Sequence, residues 1–302
     1  MDVRRLRILR ELADRGSVSA VAAALAFTPS AISQQLRTLQ EEVGVTLLEP
    51  AGRGVRLTDA GRALARHADA VLAALAEADA AVEEFRSQPR GLVRMAMFSS
   101  AARLLLTGLL RRISALSQVE LRFSDVDMTP SDVPSLTADF DLVVAHRDEH
   151  AAPFPSDRWE VVHLLREPLD VVLPPRHPLA RRRRLRAGDL VNESWISVQE
   201  GFPVDDVLRS IALRTGTRPR VVQRINDLAV TEQVVAAGLG VALLPRYSTD
   251  HRGGRRLVCR ELTGVRAARH VEAVARRDAF ARPAVRAVID ALRAEVDEIR
   301  RR

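Results

Sequence analysis

Apolar positions follow a helical period up to about residue 85, then give way to short strand-like runs alternating with helices. The first sixty residues predict three short helices and a hairpin. Val3 to Asp14 carries Leu6, Leu9 and Leu12 on one face, and Gly16 stops it. Ser17 is suited to cap a second helix, Val18 to Leu25, with Val21, Ala22 and Leu25 inward. Thr28-Pro29 then reads as cap and first turn of a third helix that Gly44 closes.

That third helix has two faces. Ile32, Leu36, Leu39 and Val43 form an apolar side, and Ser30, Ser33, Gln34 and Arg37 lie opposite. Short hydrogen-bonding side chains in that arrangement suit a helix that must approach base edges closely. Taken alone, the face is equally an ordinary polar surface. Two apolar runs, Thr46–Leu48 and Val55–Leu57, flank the turn Ala51-Gly52-Arg53-Gly54 and predict a hairpin bearing Arg53 and Arg56. Beside such a helix, these arginines could reach phosphates or the minor groove, which is a winged helix-turn-helix layout.

Thr58 is placed to cap a long helix of about 28 residues, spanning roughly 42 Å. Leu64, Ala68, Val71, Leu75, Ala78, Val82 and Phe85 follow in alternating steps of four and three, a heptad seam that implies dimerisation. Packing of the seam on its own domain is the alternative. The breaker cluster Ser87-Gln88-Pro89-Arg90-Gly91 predicts a domain boundary.

Beyond it, strands are expected at 92–98, 119–123, 140–145, 161–165, 169–173, 195–198, 221–225, 240–244 and 271–275. Helices are expected at 101–116, 203–214, 228–237 and 283–300. Repeated strand–helix units predict open, mostly parallel sheets that bind ligands outside the carboxyl ends of their strands.

Composition adds limits. The 302 residues carry a formal charge of +7 with no lysine, so all 46 basic groups are arginine. A GC-rich coding bias explains this as readily as a polyanionic partner, although the guanidinium fork suits phosphate and guanine. Aromatics at 4% argue against a base-stacking platform for single strands. The lone Cys259 excludes an internal disulfide and a cysteine-rich metal site, and its run RRLVCREL alternates like a strand. No cofactor is implied. The absence of a signal-type leader and of any long apolar run leads us to expect a cytoplasmic protein with no membrane partner. GxSxG, GxxxxGK[ST] and HExxH motifs are missing, so nothing points to an enzyme.

The run SVSAVAAALAFTPSAISQQLRTLQEEVGVTLLEPAGRGVRLTDAGRALA resembles the signature region of LysR-type transcriptional regulators. NDLAVTEQVVAAGLGVALLP is similar to the Gly-x-Gly and Leu-Pro segment of their sensor domain, and His177-Pro178-Leu179-Ala180 and Asp189-Leu190 also fit. Pro50 stands where many members have arginine, and Gln40 where the family usually has glutamate.

The resemblance implies a multidomain α/β chain. A winged helix-turn-helix would occupy 1–58, a linker and dimerisation helix 59–88, and a two-lobed sensor, like type 2 periplasmic binding proteins, 91–302. Lobe I would be 91–161 plus 268–302 and lobe II 162–267. The implied partners are double-stranded DNA with an interrupted palindrome, a small-molecule effector, and further copies in a homodimer and homotetramer. Ser30, Ser33, Gln34 and Arg37 would read the major groove, with Thr28, Arg53 and Arg56 on phosphate. Ser99, Ser100, His146, Ser197, Gln199, Gly201, Phe202, Asn226 and Asp227 would line a cleft for a small organic acid or amino acid. For the serines, simple helix capping is the competing role, and a lone histidine after a strand, such as His146, is more often an ordinary loop residue. The run Arg181–Arg184 is expected to be a solvated part of lobe II, with a contact to a neighbouring subunit or RNA polymerase left open.

Overall fold

A computed structural model describes residues 1–52, 54–83, 89–155, 158–249 and 256–301. The N-terminal unit is built from α1 (Val3–Arg15), α2 (Val18–Leu25) and α3 (Pro29–Val43), followed by the hairpin β1 (Leu48–Ala51) and β2 (Gly54–Leu57). The expected caps are present. Ser17 accepts from the Ala20 N–H, Thr28 accepts from the Ala31 N–H, and Gly16 and Gly44 adopt φ of +71°. Leu9, Val21, Ile32, Leu36 and Leu39 form the dry centre.

The hairpin differs from expectation. Its first strand starts at Leu48, not Thr46, with Leu48 opposite Leu57 and Ala51 opposite Gly54. Leu47 is drawn into the core, and the Gln40 side chain holds the approach by accepting the Leu47 N–H at 2.9 Å. That contact gives the Gln40 departure a structural role.

Helix α4 (Asp59–Glu83) starts at Thr58, whose Oγ1 accepts the Gly61 N–H at 3.1 Å. The sensor opens with β3 (Gly91–Met97), α5 (Ser99–Ile113), β4 (Val119–Asp125), α6 (Val133–Asp139) and β5 (Leu142–Asp148). Then follow β6 (Trp159–Leu173), β7 (Arg184–Arg186), β8 (Ser194–Ser197), α7 (Pro203–Thr215), β9 (Arg220–Arg224), α8 (Leu228–Ala236), β10 (Val241–Pro245), β11 (Val258–Thr263), β12 (Ala268–Arg276), α9 (Arg277–Ala281) and α10 (Pro283–Arg301).

Two runs expected as separate strands, 161–165 and 169–173, are one continuous β6. Its first part pairs antiparallel with β12 as far as Pro168 opposite Ala268, and its second part pairs with β10. The change of partner falls at Pro168–Leu169, several residues past the expected boundary at 161/162. Strand order is β4-β3-β5-β12-β6-β10-β8-β9. The sheets are mixed rather than mostly parallel, because β6 and β12 carry the chain out of one lobe and back. Both run antiparallel to their neighbours. One core lies under β3, β5 and β12 with α5 and α10, and another around Trp195, Leu173 and Leu243.

The N-terminal unit is keyed to the first lobe by charge. Arg10 of α1 is 4% exposed and donates to Asp278 at 2.8 Å. Arg276 pairs with Glu11 and Asp14, both at 2.8 Å, and Arg15 reaches Asp139 at 2.7 Å. Arg158 completes the network on Asp14 and lies 3.7 Å from Asp69 of α4. The buried Arg10 and Glu11 have opposite partners, which offsets their desolvation.

Cys259 is half-buried in β11, as its alternating run predicts, and burial pushes its thiol up to about 11. In the arginine run, Arg182 pairs with Asp189 at 2.6 Å and Arg184 with Glu261 at 2.9 Å, on an exposed edge of the second lobe. No helix among the described residues is long and apolar enough to cross a membrane.

Candidate functional site

Two surfaces concentrate the candidate chemistry. On α3, Ile32, Leu36 and Leu39 are buried while Ser30, Ser33, Gln34 and Arg37 are exposed on the opposite side. Thr28 and Ser30 are tied together at the helix start, their hydroxyl oxygens 3.0 Å apart. The side chains of Ser33, Gln34 and Arg37 have no hydrogen-bond or ion-pair partner among the described residues, so they are available to a ligand. Arg56 lies on the hairpin and pairs across the strands with Glu49 at 2.7 Å. A phosphate approaching Arg56 must compete with that carboxylate. Arg53 lies outside the described residues.

The heptad seam of α4 divides. Leu64 is half-buried and Ala68 fully buried against the N-terminal core, whereas Val71, Leu75 and Val82 are 43%, 45% and 66% exposed. The division arises because the early turns lie on α1 and the first lobe, which cover Leu72, Ala73 and Ala80 instead. The later seam positions form an unpartnered apolar stripe. Phe85 lies outside the described residues.

The second surface is the cavity between the lobes, lined among others by Phe98, Ser99, Ser100, Asp127, His146, Phe202, Asn226 and Arg269. Ser99, Ser100, His146, Phe202 and Asn226 thus lie together in this lining. Ser197, Gln199, Gly201 and Asp227 are not part of this lining. Asp227 caps α8, accepting the Val230 N–H at 3.0 Å, and Gln199 gives its backbone N–H to Asn226 Oδ1. His146 lies inside β5, not in a loop after it.

Arg269 organises the cavity. It is 3% exposed, sits 5.0 Å above the Phe98 ring, and donates to Ser100 Oγ at 2.9 Å. Glu167, fully buried at the crossing between lobes, accepts two bonds from it at 3.0 and 2.7 Å. The other Glu167 oxygen accepts the N–H groups of Tyr247 and Ser248 and the Ser248 hydroxyl. One side chain therefore links the cleft wall to the strands that join the lobes.

His146 stacks on Phe98, with centroids 4.3 Å apart. Its Nε2 donates to the Met128 carbonyl at 3.0 Å, which leaves Nδ1 as a buried acceptor without a partner among the described residues. Burial, and then the nearby Arg269 charge, lower its pKa to about 3, so the ring is neutral at physiological pH. No side chain caps the N-terminus of α5 or of α7, and both adjoin the cavity. Uncapped helix starts favour an anion. Asn226 Nδ2 donates to Asp127 at 2.6 Å and Arg103 pairs with Glu232 at 3.3 Å, two ties between lobes.

Phe98, Asp127 and Arg269 escaped the sequence reading. Arg269 is one of many arginines in a strand, so its type carries no signal. The usable clue was Glu167, a carboxylate within the apolar stretch LLREPLDVVL, which called for a buried partner.

Among known sequences, the profile described as LysR substrate binding domain matches residues 86–297. The profile for bacterial regulatory helix-turn-helix proteins of the lysR family matches residues 3–62. The transcriptional dual regulator GltC of Bacillus subtilis is 30% identical over 250 residues, 81% of each chain. The regulator CbbR of Xanthobacter flavus is 28% identical over 299 residues, 97% of this chain and 87% of that one. Among solved structures, a full-length OxyR variant from Pseudomonas aeruginosa superimposes with a TM-score of 0.67 at 20% identity, covering 97% of this chain and 98% of that chain.

Proposed function

We propose, from the premise that this chain belongs to the LysR family of bacterial transcription regulators, that it binds an interrupted DNA palindrome under control of a small carboxylate held between its lobes. The family comprises DNA-binding transcriptional regulators with an effector-binding domain, not enzymes.

The observation that carries the reading is the bare side of α3: Ser33, Gln34 and Arg37 stand exposed opposite the buried Ile32, Leu36 and Leu39. The helix enters the major groove, Arg37 pairs with a guanine, and Arg56 and Arg53 flank the phosphates. Two copies meet along Val71, Leu75 and Val82, with dimers pairing into a tetramer. The dyad demands half-sites about one helical turn, ~10 bp, or a multiple apart. The effector is a small organic acid or amino acid, received by Ser100, the α5 start and Arg269. A ligand that takes Ser100 from Arg269 alters the one group that also grips Glu167 at the crossing strands. The lobes then shift population between two arrangements, and the angle between DNA-binding pairs follows.

Footprinting on the DNA upstream of the chain's own gene tests the first half. Arg37→Ala should cost about 1–3 kcal/mol of specific affinity and relax preference at one base. Unchanged affinity and preference would remove Arg37 from the reading face. For the second half, thermal shift of the full chain against a carboxylate and amino-acid panel should give a stabilising ligand whose effect Ser100→Ala weakens. A ligand that acts equally on both proteins would place recognition elsewhere.

A further inference from the structure

Outside the cleft, the lobe crossing brings His163 beside two groups more than a hundred residues further along the chain, His270 and Glu272. β6 and β12 pair antiparallel, with Glu272 opposite His163 and His270 opposite Arg166. A register shift between Val271 and Glu272 leaves Leu164 and Leu165 both buried and turns His163 to the side that carries His270 and Glu272. One ligand atom from each of His163, His270 and Glu272 lies within 4.8 Å of the others. The two imidazole rings meet edge-on, centroids 5.4 Å apart, and His163 Nδ1 is 4.0 Å from a Glu272 oxygen. We propose that His163, His270 and Glu272 form a binding site for an imidazole-preferring divalent cation such as Zn2+, independent of the effector cleft.

The donor set is right for that class of ion. Two imidazoles and one carboxylate suit zinc, cobalt or nickel and are poor for magnesium or calcium, which demand oxygen. His270 Nδ1 is a buried ring nitrogen with no hydrogen-bond partner among the described residues, and a coordinate bond would satisfy it.

A tetrahedral zinc ion with ~2 Å bonds spaces its ligands ~3.3 Å apart. The rings must therefore close by an ångström or so, and the exposed His163 side chain can supply that motion. Arg147 donates to both Glu272 oxygens at 3.0 Å. Each oxygen keeps a further lone pair, so Arg147 acts as the outer group that orients the ligand. The guanidinium charges of Arg147 and Arg300 oppose a cation and weaken the site relative to one without them. Arg166 is already neutralised by Glu149 at 3.0 and 2.9 Å.

The location gives the ion a consequence. Glu272 and His163 sit on the two strands that cross between lobes, just on the first-lobe side of Pro168 and Ala268. An ion there staples β6 to β12 beside the hinge and stiffens the lobe connection.

The test is calorimetric titration of untagged, chelator-stripped full-length protein with ZnCl2, with MgCl2 in parallel. The expected result is one zinc per chain, no magnesium binding, and affinity at least ~10-fold weaker in both His163→Ala and His270→Ala. His163 is exposed, so its alanine variant keeps the fold, verified by an unchanged melt in the absence of metal. Zinc should also raise the melting temperature of the wild type and not of the variants. Wild type that takes up no zinc, equal magnesium binding, or undiminished zinc binding in the two variants overturns the proposal.

Discussion

The Glu167–Arg269 pair should dominate the stability of the sensor. Glu167 Oε2 accepts two Arg269 N–H groups while Oε1 accepts three donors from Tyr247 and Ser248, and the two side chains are 0% and 4% exposed. In Glu167→Gln, the amide oxygen can keep the three donors only by turning its NH2 toward the guanidinium. That leaves a buried cation unpaired and donor facing donor. Breaking such a pair costs about 3–5 kcal/mol. For a folding unit of this size the loss lowers the melting temperature by roughly 10 °C. Arg269→Leu alone should also destabilise, because it strands the carboxylate. The double variant should recover much of the loss, with a coupling of ~2 kcal/mol or more, since Gln then no longer faces a charge. The two tryptophans make the assay direct. Trp159 and Trp195 are buried, one in each lobe, so intrinsic fluorescence during guanidinium unfolding follows the sensor itself. Additive single-variant losses, or a Glu167→Gln protein melting within a degree or two of wild type, would refute the argument.

Burial is the largest cause that raises the Asp69 carboxyl to about 6. Because its folded value exceeds the unfolded one near ~4, its protonated form favours the fold at low pH, and that contribution is lost as pH rises through about 6. Asp69→Asn should therefore gain about 1–3 kcal/mol over wild type at pH 8 and nothing at pH 4, read from melts across pH; a gain independent of pH contradicts the assignment. A Cβ at Gly61 would lie 2.2 Å from the Leu47 carbonyl oxygen, which is backbone. Gly61→Ala should displace the hairpin from α4, lose about 1–3 kcal/mol and weaken DNA binding, and unchanged melting and mobility shift would show the helix start to be compliant. Leu75→Glu, on the exposed stripe of α4, should shift the sedimentation mass toward monomer with unaltered circular dichroism, and an unchanged mass would remove the stripe from the interface.

Local pattern was sufficient for the three helices of the N-terminal unit. The caps at Ser17 and Thr28, the stops at Gly16 and Gly44, and the two sides of α3 are set by residues within a turn or two of each other, where side-chain periodicity decides what is buried. The order of strands and helices in the sensor was legible for the same reason, whereas His146, expected after its strand, lies within β5. Tertiary structure decided what depends on pairs distant along the chain. It fused two expected strands into β6, which changes partner after Pro168, and divided the α4 seam between covered and bare positions. It also chose, from 46 arginines of identical type, which ones are buried: Arg10 on Asp278 and Arg269 on Glu167. Periodicity reports which face of an element is apolar. It carries no information about which charge finds which partner, because that is fixed only when the elements pack and water is excluded between them.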